Sequence, residues 1–153
     1  MIDLTINEEK IQQNAKHCKS LNIKLPTLGQ MQNPETIADE IKDELKNISL
    51  WDSHPANLFR ITWKNEPVAK GGGFGGVNYI VIPPEISGVK AKIIALVGKW
   101  FPTGAHKVGA TYGCLAPALT TGQFSPVETK AVWPSTGNYC RGGAYVSSLL
   151  GCD

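Results

Sequence analysis

The sequence contains no long apolar run, no closely paired cysteines and no surplus of either charge. Its longest apolar stretches, such as "IIALVG" (93–98), are far shorter than the ~20 residues that cross a bilayer, so no membrane partner is expected. Met1 is followed by polar and acidic residues, not by the basic and then apolar segments of an export signal. Charged residues make up 18% of the chain and the formal net charge is +2, with no concentrated basic face, which argues against a nucleic-acid partner. Cys18, Cys114, Cys140 and Cys152 include no Cys-x-x-Cys pair and read as reduced thiols of a cytoplasmic protein. The three histidines also lack ligand spacing, so no metal site is expected.

What is present changes character near residue 50. The 153 residues suit one domain or part of a larger protein. Charged and amide side chains dominate the first part; Gly, aromatic and β-branched residues dominate the rest. Asn7 can cap a helix over Glu8–Lys19, with Glu8 and Glu9 at its positive end. Asn33, Pro34 and Glu35 mark a second start, and Ile37, Ala38, Ile41, Leu45 and Ile48 recur at helical spacing. Its other face carries Asp39, Glu40, Lys42, Asp43, Glu44 and Lys46, as a solvated surface would. Between the two, residues 23–34 read as loop, and Leu58–Trp63 as a short extended piece.

From residue 77 the pattern alternates. Val77–Ile82 suits a strand stopped by Pro83 and Pro84. Val89–Gly98 suits a second, whose unbroken apolar core (93–97) suggests burial on both faces in a parallel sheet. Val108–Leu119 reads as helix, Glu128–Pro134 as strand, and the segment from Asn138 to Gly151 as helix. This rhythm is that of parallel β-α-β units, in which ligands bind where strands end and helices begin. The loops Pro102–Lys107 ("PTGAHK") and Pro134–Asn138 ("PSTGN") occupy such ends.

Lys107 sits just inside a predicted helix start. The positive end of that helix disfavours a neighbouring ammonium, and an unprotonated lysine amine attacks carbonyls to form Schiff bases. Exposed N–H groups of the loop could hold a phosphate, with His106 as a further donor. The alternative is a solvent-facing lysine after an ordinary turn. In the second loop Ser135, Thr136 and Asn138 surround Gly137, a set suited to a carboxylate or, equally, to helix capping. Gly142, Gly143 and Ala144 would let the following helix approach a sheet closely. The "GGGFGG" stretch (71–76) lacks the Lys-Ser/Thr ending of a nucleotide P-loop and has no convincing helix after it. It reads as a connection or cover, against a third reading as a nucleotide site.

The two loops in this order resemble those of the fold-type-II pyridoxal-phosphate enzymes, the superfamily of cysteine synthase, threonine synthase, cystathionine β-synthase and the tryptophan synthase β subunit. The string Thr-Gly-Ala-His-Lys is most like the tryptophan synthase branch, and "STGNxxxGxA" is closer to cysteine synthase. The resemblance covers roughly residues 75–152. It implies a three-layer parallel-sheet sandwich and pyridoxal 5'-phosphate as cofactor. It implies β-elimination or β-replacement on an amino-acid substrate, and a homodimer. Lys107 would be the Schiff-base lysine and the acid/base for the Cα proton, with His106 near the cofactor phosphate. Ser135, Thr136 and Gly137 would bind the substrate carboxylate, and Asn138 the pyridine-ring oxygen.

The family's glycine-rich phosphate loop and the residue that contacts its pyridine nitrogen have no counterpart before Asp153. The expectation is therefore an incomplete fold: a helical or irregular extension over 1–70, then the N-terminal part of the catalytic fold over 71–153. Such a piece would associate through exposed apolar surface and turn over poorly alone. A different class of reading is a non-catalytic interaction or regulatory module that kept the loops as turns.

Overall fold

The computed structural model describes residues 5–152; residues 1–4 and Asp153, the outer ends of the two expected units, lie outside them. Helix α1 (Glu8–Ser20) starts where Asn7 accepts the Lys10 N–H in its side chain, with Glu8 and Glu9 in the first turn. Residues 23–34, read as loop, contain the short α2 (Leu28–Gln32), held by a reciprocal capping box between Thr27 and Gln30. The next helix is broken into a 3₁₀ turn at Pro34–Thr36 and α3 (Asp39–Leu45). Ile37 leaves the helical conformation (ψ 135°) and buries its side chain, leaving 2% exposed.

Leu58–Trp63 is not extended. Pro55 opens a 3₁₀ helix over Pro55–Arg60, whose tight turns bury Leu58 and Phe59. The strands are shorter than expected: β1 spans Tyr79–Ile82 and β2 spans Ile93–Leu96. They pair antiparallel, Tyr79 with Leu96 and Ile82 with Ile93. The link between them holds only α4 (Pro84–Ser87), one turn closed by left-handed Gly88, too short for a parallel crossover. The continuous apolar run of β2 is not buried on both faces, since Ile94 and Leu96 are about half exposed. This hairpin is the sheet of the described residues, which do not display a parallel three-layer arrangement. Residues 128–134 form no strand; Val132 faces solvent and Trp133 packs by its side chain.

Two long helices carry the rest, α5 (Lys107–Thr121) and α6 (Asn138–Leu149), and they pack on each other. Their buried side chains Val108, Tyr112, Leu115, Leu119, Val146 and Leu149 form one core with Phe101 and Leu150. Ile23, Leu58 and Ile61 join the same core, so residues before 70 share it with α5 and α6. Each fully buried aliphatic side chain there contributes roughly 1.5–3 kcal/mol by leaving water. Polar ties run along the same seam. Buried Asn14 donates to the Leu119 carbonyl at 2.9 Å and the Phe124 carbonyl at 2.8 Å, and Tyr112 Oη donates to the Pro26 carbonyl at 2.9 Å. A smaller cluster of Ile37, Ile41, Leu45, Ala56 and Phe59 holds α3. Among the described residues Cys18, Cys114 and Cys140 are free thiols, and no helix is long and apolar enough to cross a membrane.

Candidate functional site

Both predicted loops deliver helix starts, and the structure brings those starts together. Buried Phe101 and Pro102 anchor the first loop. Thr103 and Gly104 then turn the chain with φ of 67° and 71°, His106 precedes α5, and Lys107 is its first residue. The second loop runs from Trp133 to Gly137, and Asn138 is the first residue of α6. The two meet at Gly142, one turn into α6. A Cβ there would lie 2.9 Å from both Cα and N of Val108 and 3.1 Å from the Lys107 carbonyl carbon. Only glycine permits that approach, which sets the Lys107–Val108 peptide against the first turns of α6.

Contrary to the expectation from the sequence, the glycine pair does not serve a sheet. Gly142 faces the α5 backbone, Gly143 faces the Trp133 indole, and Ala144 is exposed. Trp133 is what holds the second loop in place. Its Nε1 donates to Ser147 Oγ at 3.0 Å, and its ring meets Tyr139 edge-on at 5.6 Å. The Tyr139 hydroxyl in turn reaches Cys114 Sγ on α5 at 3.7 Å, a hydrogen bond that raises the Tyr139 pKa.

The side chains that could cap these helices do not. Neither α5 nor α6 has a side-chain cap, although α1 and α2 do. Ser135 Oγ instead accepts the Gly137 N–H at 3.3 Å, closing a local turn, while Thr136, Gly137 and Asn138 are exposed. The positive end of α6 is thus open to an anion beside the Lys107 peptide. Lys107 itself is exposed, and its side-chain amine has no hydrogen-bond or ion-pair partner among the described residues.

His106 is exposed too, but its ring is ordered. It stacks on Trp63 at 5.5 Å and 23°, and its backbone passes 3.3 Å from where Gly98 would carry a Cβ. Trp63 meets Phe101 edge-on at 4.9 Å. His106, Trp63, Phe101 and Tyr112 line an apolar cavity of about 500 Å³ with Met31 and Gly109. Burial holds the Tyr112 phenol well above its usual pKa. Sequence reasoning had not assigned Trp63 or Trp133 to the site. For Trp133 the available signal was its place just before the small-residue loop 134–137; Trp63, followed by Lys64, Asn65 and Glu66, carried none.

Gly71–Gly75 folds back over residues 64–66: Glu66 N–H donates to the Gly73 carbonyl at 2.8 Å and Gly75 N–H to the Lys64 carbonyl at 2.7 Å. No helix of phosphate-loop type follows it; the next long element is β1. Compared with known proteins, the chain matches no family model, no curated protein and no solved structure.

Proposed function

We propose that this chain belongs to a pyridoxal-phosphate-dependent lyase or synthase acting on an amino acid by β-elimination or β-replacement. The supporting observation is the pairing of two uncapped helix starts, with the Lys107–Val108 peptide set against α6 by Gly142. The donor set fits the cofactor's aldehyde and the substrate's carboxylate: a primary amine unpaired among the described residues, and an open helix end bearing Ser135, Thr136 and Gly137. Lys107 Nζ would hold the aldehyde carbon and afterwards carry the proton taken from the substrate Cα. His106, fixed by Trp63, would donate toward the phosphate, and Asn138 toward the pyridine-ring oxygen. When bound, the cofactor supplies the electron sink that makes the Cα proton acidic. The parallel three-layer sandwich remains part of this proposal, with residues 71–153 as its N-terminal part.

A near-stoichiometric addition of pyridoxal phosphate is expected to give a visible absorbance band that Lys107→Ala abolishes and Lys130→Ala leaves intact. A band that survives Lys107→Ala, or no band at all, removes the reading. A second reading, a non-catalytic interaction module, draws on the exposed apolar hairpin. It expects partner binding or self-association without cofactor and no spectral change with amino acids. A homodimer is the assembly the first reading favours.

A further inference from the structure

We propose that the cleft between Trp51, Thr103, Arg141 and Tyr145 binds a small carboxylate with a flat apolar body. Thr103 carries the first observation. It is a β-branched residue held at φ 67° and ψ 1°, a conformation such residues rarely adopt. The residue is 8% exposed, and among the described residues its buried hydroxyl has no hydrogen-bond partner. A buried hydroxyl in that state is costly, so the strain and the orphan donor together mark a position kept for something other than packing.

The second observation lies on α6. Arg141, Tyr145 and Ser148 follow one another along one face at helical spacing. Two of the three are tied to the 52–53 segment: Tyr145 Oη donates to the Asp52 carbonyl at 2.7 Å, and Ser148 Oγ lies 2.9 Å from Ser53 Oγ. Arg141, at the N-terminal end of the row, is exposed, and its guanidinium is unpaired among the described residues. No ion pair joins it to Asp52, one of whose carboxylate oxygens accepts the Ser49 N–H at 2.8 Å.

Trp51 completes the cleft. Its indole is 62% exposed, yet its edge is seated on Gly104, where a Cβ would lie 2.9 Å from Cη2. The four residues line an open cleft of about 310 Å³, room enough for a single-ring acid. A guanidinium fork takes a carboxylate in two parallel hydrogen bonds, the indole face covers the ring, and the Thr103 hydroxyl, buried beneath the cleft, becomes a further donor on turning toward the ligand. None of these residues belongs to the set assigned to Lys107 chemistry, so the site stands or falls without the cofactor.

The probe is benzoate, added to the full chain without cofactor, with the Trp51 indole N–H followed by NMR. A saturable shift is expected for benzoate and none for benzyl alcohol. Arg141→Gln, a surface change, is expected to weaken binding by about tenfold or more, as loss of a charge-assisted pair does. Thr103→Val, which keeps the shape, is expected to weaken it by roughly threefold through loss of one neutral hydrogen bond. The Trp133 indole should not respond, and its unchanged position in both variants reports an intact fold. No saturable shift, or equal affinity in Arg141→Gln, overturns the proposal.

Discussion

The helical body and the β1–β2 hairpin treat apolar side chains in opposite ways. In the body Leu58, Val108, Val146 and Leu150 are fully out of solvent; in the hairpin Tyr79, Ile80, Ile94 and Leu96 are each more than half exposed. Both segments are rich in Val, Ile and Leu. The difference lies in partners: α5 and α6 have each other and the segments from residues 23–61, whereas among the described residues no other strand covers either edge of the hairpin. Hydrophobic patterning therefore reports a demand for burial, not whether the surface that meets it is at hand. A two-stranded sheet with both edges open is a template for pairing with another chain.

The contrast can be broken most severely at the body. Gly142→Val puts a branched side chain into the Val108 backbone, which cannot yield. Urea unfolding is expected to show a loss of about 3 kcal/mol, the upper range for overpacking. Undiminished stability would mean that α6 does not rest on the Lys107–Val108 peptide.

A smaller effect is expected at Tyr112, whose hydroxyl spans from α5 to the Pro26 carbonyl. Tyr112→Phe leaves that carbonyl short of a partner and is expected to cost about 1 kcal/mol at neutral pH. The pH dependence sharpens the test. Burial holds the folded phenol above its usual pKa. Above about pH 10 the unfolded chain loses the proton while the folded chain keeps it, so stability falls as pH rises. That alkaline decline should flatten in Tyr112→Phe.

The smallest effect on stability is expected in the hairpin. Ile94→Lys alters a half-exposed residue of β2 and should change unfolding by less than about 0.5 kcal/mol. In sedimentation velocity the same change should shift the protein toward monomer. A large loss of stability with no change in association would show that the hairpin's apolar surface is covered within the monomer after all.

Three helix starts, those of α1, α5 and α6, were the most legible part of the sequence, because each is written in a few adjacent residues. Asn7 with Glu8 and Glu9 marked α1, and the Pro-Thr-Gly and Ser-Thr-Gly strings marked α5 and α6. Less legible were features decided by distant contacts. The stretch Leu58–Trp63 reads as a strand by composition, but Pro55 and the demand to bury Leu58 and Phe59 wind it into a 3₁₀ helix. Arg60 is buried there by the carbonyls of Leu45 and Ile48, with a pKa lowered by desolvation, and no local pattern announces that. For the candidate site, the residue types and loop positions could be read directly. That the two loops meet through Gly142, and that Trp133 and Trp63 hold them, could not, because those contacts join segments far apart in the chain. The left-handed turn at Thr103 was hidden for another reason: glycine or asparagine signals such a turn, and a β-branched residue conceals it.

The Asn14 clasp bears on the order of assembly. Its amide bridges two carbonyls that lie 105 and 110 residues further along the chain. During synthesis α1 is therefore made long before the carbonyls it serves, a delay of roughly 5 to 20 s at ordinary translation rates. A helix of 13 residues is marginal in water by itself, so α1 has little to gain by persisting through that interval. The last turn of α5 and the first helix of the chain should thus become protected from hydrogen exchange together, as the closing event of folding and not its beginning.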